Sequence, residues 1–269
     1  WNWRLPTYAY LWKIFPGNGG LSVYVFFLAL LSTALYFTYR IGRVFLNPNQ
    51  AVLVPYVLLP YFHFAARDLS FLEMEWWALP FFLTATFLLI ADKVKTSLPF
   101  LLIALLLRET FVIPAFVFML VYLLSKNFKK AVFLFVPILI FALILTFHYF
   151  KVTGYIARDY SSFSLGAGKN YTFVFQQTLS YGSTDYLFFR LRPFLIAFVI
   201  TIIGTTIFIL KKEFDFRNLF LPFAGFFSAL FVFFAASKDA DYWGVLYMPI
   251  ILISSIIILI KIASFDEKA

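Results

Sequence analysis

Long apolar runs separated by short charged connectors make up most of this sequence. The runs are Leu21–Tyr39, Ala51–Ala65, Trp76–Ala91, Leu98–Leu124, Ala131–Phe150, Pro193–Leu210, Leu219–Ala236 and Trp243–Ile260. Most of them approach the roughly 20 apolar residues that a helix needs to cross the hydrocarbon core of a bilayer. The pattern therefore predicts an all-α fold, a polytopic transmembrane bundle of about eight or nine membrane segments. We expect a single transmembrane domain over residues 1–269.

The fourth run, Leu98–Leu124, carries the charged pair Arg108–Glu109 near its middle. Short loops rich in Lys and Arg favour the cytoplasmic side of a membrane. If the run is one long tilted helix, the three lysines just after it fall on the outer side. If the chain turns back at Arg108–Thr110, every lysine-rich short loop falls on the cytoplasmic side. We therefore expect a short hairpin at 98–124, with arms Leu98–Leu107 and Phe111–Leu124 and a turn near the outer leaflet.

This topology collects most of the acidic residues on the outer side. Eight of the 13 Asp and Glu residues fall there, namely Asp68, Glu73, Glu75, Glu109, Asp159, Asp185, Asp239 and Asp241. Two long polar segments also fall there. In segment 1–20 the aromatic residues are spaced as in an outer interfacial helix, and segment 151–192 is too long for a passive connector. We expect the latter to be an ordered outer loop, and any chemistry to belong to this face.

Composition supports the membrane assignment and limits the alternatives. The chain is 63% hydrophobic and 23% aromatic, against about 45–50% apolar residues in ordinary soluble domains, and its mean hydropathy is +0.89. In the expected topology the cytoplasmic side carries twelve of the 22 Lys and Arg residues and only five of the 13 acids, so the net charge of +9 indicates anchoring beside anionic lipids and not a nucleic-acid partner. The absence of Cys excludes disulfides and thiolate sites.

Two further features of the sequence bear on its origin. The chain starts at Trp1, and its first residues do not resemble a signal peptide. We therefore expect a fragment of a longer chain whose start is missing. Low Ala with high Phe, Ile and Lys is typical of an AT-rich prokaryotic genome, which favours a multi-pass protein of the prokaryotic plasma (inner) membrane.

Acidic residues at the outer end of the third run are candidates for acid–base chemistry. Asp68, Glu73 and Glu75 precede a charge-free apolar run. On an extended backbone the two glutamates could bind a divalent cation together. On a helix, residues two apart point about 200° from each other, so only one of them could face a site. Ordinary interfacial charge beside a Trp belt is the alternative.

Arginines on the same side are candidates for binding an anion. The planar fork of a guanidinium suits a phosphate, and ionisable groups inside a membrane are functional hypotheses by default. We expect Arg108 to face a cavity, with Glu109 as its structural neighbour. A helix cap or an internal ion pair is the alternative. Arg158, in the long outer loop, is a candidate for docking an anionic lipid head group.

Five stretches in order resemble the GT-C superfamily of polytopic glycosyltransferases, which use polyprenyl-phosphate sugars. They are WRLPTYAYLWKIF from Trp3, ALYFTYRIGRVF from Ala34, RDLSFLEMEWWALPFFLTATFLLIADK from Arg67, LPFLLIALLLRETFVIPAFVFMLVYLLSK from Leu98 and DYWGVLYMPIILISSIIIL from Asp241. The resemblance covers nearly the whole chain and lies in the series, because each motif is degenerate. The last stretch departs from the family pattern, with Asp241 where Arg is common and only Pro249 retained.

The resemblance implies transfer of a sugar from a polyprenyl-phosphate-linked donor to an acceptor at the outer, periplasmic or luminal face. It implies an acidic residue that assists the acceptor hydroxyl, cations that bind the donor phosphate, and in some members a divalent cation such as Mg²⁺ or Mn²⁺. We assign Glu73, Glu75 and Asp68 to the first role. Arg108, Arg67, Arg158 and Arg4 are assigned to the second. The family's best-known catalytic Asp precedes the Arg-x-Pro-x-Tyr stretch, so it would lie upstream of this sequence.

Two other classes of function stay open. A lipid or amphiphile transporter or flippase should contain repeated halves with matching broken helices. The sequence shows one candidate break, at Arg108–Thr110, and acids concentrated on one face, which favours one-sided chemistry. A non-catalytic scaffold subunit of a membrane complex is the third hypothesis.

Overall fold

The computed structural model describes residues 5–15, 20–66, 73–153, 193–210, 216–235 and 241–264. Within these ranges every regular element is helical, which confirms the all-α prediction. The α-helices are α1 (Thr7–Lys13), α2 (Gly20–Phe45), α3 (Pro48–Ala51), α4 (Leu53–Tyr56), α5 (Leu59–Ala66), α6 (Met74–Ile90), α7 (Val94–Leu107), α8 (Val112–Leu124), α9 (Phe128–Thr153), α10 (Pro193–Leu210), α11 (Phe216–Ala235) and α12 (Met248–Ala263). Two 3₁₀ turns lie at Glu109–Phe111 and Asp241–Leu246.

The chain breaks its helix at Arg108, between α7 and α8. The backbone of Arg108 is extended, with φ −147° and ψ 110°, and a 3₁₀ turn follows before α8 begins. Pro114 gives a physical reason for the break. Inside a continuous helix its ring would clash with the carbonyl of Thr110, whereas the first turn of a new helix tolerates proline.

The chain also reverses direction at this break. The α6–α7 turn and the α8–α9 turn lie side by side, since Asp92 Oδ1 and Lys130 Nζ are 2.5 Å apart and the Tyr122 hydroxyl donates to the Leu89 carbonyl at 3.1 Å. α7 and α9 therefore start at the same end of the bundle, and α8 runs antiparallel to both. The expected hairpin is present, with arms at Val94–Leu107 and Val112–Leu124, and the single tilted helix is not.

The two neighbouring turns have the same backbone conformation. Asp92 and Lys126 are in the left-handed region, with φ 63° and 59°. The next amide in each turn donates back into the preceding helix, from Lys93 to the Leu88 carbonyl at 2.7 Å and from Asn127 to the Tyr122 carbonyl at 2.9 Å. This is the Schellman arrangement that satisfies the last carbonyls of a helix. Each turn is consequently tight enough to set its two helices antiparallel.

Helix α6 forms the centre of the bundle. Nearly all of its residues are buried, as expected for a helix that is apolar all round. It packs against α2 and α7, while α9 packs against α7 and α8, and α11 packs against α8 and α12. Phe82 of α6 stacks on Phe118 of α8 with ring centroids 5.3 Å apart. Both arms of the hairpin therefore border α6.

The predicted run Ala51–Ala65 is not one helix in the structure. It is divided among α3, α4 and α5, with interruptions at Val52 and at 57–58. Pro55 and Pro60 account for this division, because each lacks the amide hydrogen that an uninterrupted helix would use. Asn47 caps the start of α3 by accepting from the Gln50 amide at 2.9 Å.

Two described helices, α2 and α9, are long and apolar enough to cross a membrane, and only 22% of the apolar stretch of each is buried. α9 also continues to Thr153, three residues into the predicted outer loop 151–192. The rest of that loop lies outside the described residues. Of the predicted interfacial helix at 1–20, the structure describes a seven-residue helix, α1, which packs through Trp12 on Trp77 with ring centroids 6.1 Å apart.

Candidate functional site

A buried ion pair joins the start of α6 to the tip of the α7–α8 hairpin. Arg108 Nε lies 2.5 Å from Glu75 Oε1. The exposed fractions of these two residues are 1% and 5%. On the other side, Arg108 Nη1 donates to Glu109 Oε1 at 2.9 Å. The guanidinium is therefore held between two carboxylates, one buried and one partly exposed.

Local backbone structure sets this geometry. Glu75 lies in the first turn of α6, where the positive end of the helix dipole favours a carboxylate. Arg108 is the residue that ends α7, and its amide donates to the Ala104 carbonyl at 2.9 Å. Its extended backbone turns the chain away from the α7 axis, which lets the next residue, Glu109, contact the same guanidinium. The hairpin turn and the ion pair are thus parts of one structure.

Glu73 has a different environment from Glu75. It lies just before α6 with an extended backbone, φ −76° and ψ 130°. Its exposed carboxylate accepts a hydrogen bond from Trp76 Nε1 at 3.1 Å. The two glutamates thus match neither alternative in full, because Glu73 is extended and Glu75 is helical, and only Glu75 takes part in the cluster. Among the described residues no group of three or more His, Asp or Glu side chains is placed to hold a metal ion.

Thr110 adds a buried hydroxyl next to the ion pair. Its exposed fraction is 7%, and in the part of the chain that the structure describes its Oγ1 has no hydrogen-bond partner. A buried hydroxyl without a partner is costly. The hairpin tip consequently combines a cation, two anions and a hydroxyl with unused hydrogen-bonding capacity.

The other predicted site residues cannot be placed relative to this cluster. Asp68, Arg67, Arg158 and Arg4 lie outside the described residues. Of the seven predicted residues, the structure thus describes Glu73, Glu75 and Arg108, and it brings the last two together.

The internal ion pair that the sequence left open as the alternative for Arg108 is present. Its partner, Glu75, was not anticipated, although a signal for the contact exists. Glu75 precedes the turn residue Asp92 by 17 positions and Arg108 follows it by 16 (92 − 75 and 108 − 92). In two antiparallel helices joined by a tight turn, residues equidistant from the turn lie at the same height. Opposite charges at equal distance from a helical turn therefore predict an ion pair.

This arrangement allows two kinds of chemistry. A guanidinium presents planar N–H donors that match the oxygens of a carboxylate or a phosphate. A buried carboxylate can accept a proton from a hydroxyl within hydrogen-bond reach. Comparison of the chain with protein-family models, with curated proteins and with solved structures finds no match to any of them.

Proposed function

We propose that this protein is a multi-pass membrane glycosyltransferase of the GT-C type. It would move a sugar from a polyprenyl-phosphate-linked donor to an acceptor at the outer face of a prokaryotic plasma membrane. The observation that carries the proposal is the buried cluster of Glu75, Arg108 and Glu109 at the hairpin tip. Ionisable groups buried inside a membrane protein are rarely kept without a function.

The exposed surface of α9 supports a membrane location. Large apolar side chains follow one another along its exposed side, namely Val132, Phe135, Val136, Leu139, Ile140, Leu143, Ile144 and Phe147. A soluble protein rarely leaves so continuous an apolar surface in water. Lipid is the solvent that suits this surface.

The distribution of basic residues supports one orientation of the bundle. Lys93 of the α6–α7 turn and Lys95 in the first turn of α7 lie beside Lys130 in the first turn of α9. Arg40 lies over the ring of Phe87, near the same end of α6, at 5.0 Å from the ring centroid, and Lys261 lies over Phe45 at the end of α2 at 5.4 Å. Basic short loops favour the cytoplasm. The Glu75–Arg108 cluster, at the opposite end, would then face outward.

In the proposed reaction the acceptor oxygen bonds to the anomeric carbon of the sugar while the bond from that carbon to the donor phosphate breaks, and polyprenyl phosphate leaves. Arg108 binds the donor phosphate and stabilises the negative charge that develops on it. Glu75 accepts the proton of the attacking acceptor hydroxyl. The present ion pair would hold both groups in place before the donor arrives. Asp68, Glu73, Arg67, Arg158 and Arg4 keep the roles assigned from the sequence. The described residues do not assemble a set of metal ligands, so no step of this proposal uses Mg²⁺ or Mn²⁺.

The test is transfer of sugar from a polyprenyl-phosphate donor by the full-length protein in proteoliposomes. We expect Glu75→Gln and Arg108→Gln to lower the rate by about 100-fold or more, the range for loss of one group that stabilises transition-state charge. Asp92→Asn, the same kind of change at the opposite end of the bundle, should leave the rate unchanged. Wild-type rates in folded Glu75→Gln and Arg108→Gln proteins would refute the site.

A lipid or amphiphile transporter is the second candidate, favoured by one observation. The helix is interrupted within segment 48–66 as well as at Arg108. Interrupted helices line the substrate sites of many transporters. Proteoliposomes distinguish the two functions. A transporter would move a fluorescent lipid between leaflets without any sugar product, whereas the proposed enzyme would form product without increasing that movement.

A further inference from the structure

We infer that the basic end of the bundle holds a specific site for an anionic phospholipid, built around the α8–α9 turn. The inference rests on the proposed membrane orientation and not on sugar transfer. The site consists of a lysine-lined recess for the phosphate head group and an apolar groove for an acyl chain. The recess has a volume suited to a phosphate head group, and the groove has a volume suited to an acyl chain.

The recess lies where α7 and α9 begin. Its volume is about 400 Å³, and its charged lining residues are Lys93, Lys95, Lys129, Lys130 and Asp92. Asp92 is the one acid among them, and it is ion-paired with Lys130. Four lysines against one aspartate leave the described lining with a charge of +3 (4 − 1). An anion is therefore the kind of ligand that this recess favours.

The backbone adds to the positive potential of the recess. α7 starts at Val94 without a side-chain cap, and α9 starts at Phe128 on the other side of the same recess. The first amides of a helix and its dipole favour phosphate oxygens. The lysines carry the inference, and the two helix starts strengthen it.

The groove lies between the end of α8 and α11. Its volume is about 450 Å³. The lining residues are Val121 and Leu124 of α8, Ser125 just after α8, and Leu219, Phe220, Phe223 and Phe227 of α11. All of these except Ser125 are apolar, which suits a hydrocarbon chain and not water.

Tyr122 lies close to a wall residue of each cavity. Its ring centroid is 5.7 Å from that of Phe220, in the wall of the groove. Lys130 Nζ, in the wall of the recess, is 5.6 Å from the same ring. Charge and apolar surface within this distance of one ring match an amphiphile with a phosphate head group, whereas a free phosphate would use only the recess. The cytoplasmic leaflet supplies such lipids.

The test is native mass spectrometry of the full-length protein in detergent, titrated with phosphatidylglycerol or with phosphatidylcholine of the same chain length. We expect phosphatidylglycerol to bind at least about tenfold more tightly, and this preference to disappear in the Lys93→Glu/Lys129→Glu variant. The control variant Lys13→Glu/Lys151→Glu, which makes the same change in charge at the opposite end of the bundle, should keep the preference for phosphatidylglycerol. If both double variants lost the preference for phosphatidylglycerol equally, only the net charge of the protein would matter, and the inference would be overturned.

Two further measurements separate a lipid from a free phosphate. Millimolar inorganic phosphate should fail to displace phosphatidylglycerol from the unmodified protein, and Phe223→Trp, which narrows the groove, should weaken lipid binding without a change in charge. Displacement by phosphate would identify an anion site without a lipid partner and would refute the inference. The phosphate experiment needs no variant, so its result holds even if a variant does not fold.

Discussion

Arg108 is the most deeply buried charged side chain that the structure describes. It is almost fully buried, and its charge is compensated by Glu75 and Glu109. Removing two charges from water costs several kcal/mol per ion, and their attraction often no more than offsets that cost. A pair of apolar residues would hold the hairpin at least as well. The proposed binding of a phosphate at Arg108 would account for a cluster that stability alone does not require.

Removal of one partner should destabilise the protein more than removal of both. We expect Arg108→Met alone to lower the free energy of unfolding by about 3–5 kcal/mol, because Glu75 is left buried without its cation. The double variant Glu75→Leu/Arg108→Met should recover most of this loss. The measurement is reversible unfolding in detergent micelles, with exposed Glu73→Gln as the control. A double variant as unstable as the sum of the two single variants would contradict the coupling.

The same double variant separates structure from catalysis. If the cluster serves only to fix the hairpin, Glu75→Leu/Arg108→Met should retain whatever activity the full-length protein has. If Arg108 binds the donor, activity should stay lost after stability is recovered.

At the scale of the elements, close helix contacts depend on small residues. Gly204 of α10 faces Ile258 of α12, and a Cβ built on Gly204 would lie 2.0 Å from Ile258 Cγ2. Packing this close is typical of helices that associate inside a membrane, where small residues let the backbones approach. The contact places α10 directly on α12.

Gly204→Ala should consequently force α10 and α12 apart. We expect a loss of about 1–3 kcal/mol in the free energy of unfolding, the usual range for overpacking, with much of it restored by Ile258→Ala. Gly20→Ala is the matched control, since nothing lies within 4 Å of a Cβ at that position. Equal effects of the two glycine substitutions would show that helix propensity, and not packing, decides the outcome.

The sequence predicts the elements of this fold better than their interruptions. Loop charges were enough to predict the reversal at Arg108–Thr110, because one long helix would have placed the following lysines on the wrong side. The broken segment 48–66 was missed, since its hydropathy is continuous and only Pro55 and Pro60 mark the breaks. Hydropathy reports burial in lipid, whereas backbone hydrogen bonding decides where a helix ends.

The site was only partly predictable for a similar reason. Glu75 and Arg108 were each recognised as charges in an apolar setting, but in separate roles. Their contact depends on the tight α6–α7 turn, which places them at the same height. The position of Glu73 outside the cluster required the start of α6 to be known to within one residue, which composition and spacing do not give.

At the scale of the whole molecule, the two proposed sites depend on one asymmetry. The short basic turns that the structure describes lie at one end of the bundle, and the Glu75–Arg108 cluster lies at the other. This arrangement follows from the reversal between α7 and α8. The proposed enzyme site and the proposed lipid site both require it, with the former facing outward and the latter facing the cytoplasm.

The most direct test labels single cysteines from one side of a membrane. The chain contains no Cys, so Lys93→Cys, Lys126→Cys and Glu73→Cys each introduce one thiol at an exposed position. With a membrane-impermeant maleimide on intact cells, we predict labelling of Glu73→Cys alone and protection of Lys93→Cys and Lys126→Cys until the cells are opened. Labelling of Lys126→Cys but not of Lys93→Cys from outside would show that residues 98–124 cross the membrane once, and would contradict the account.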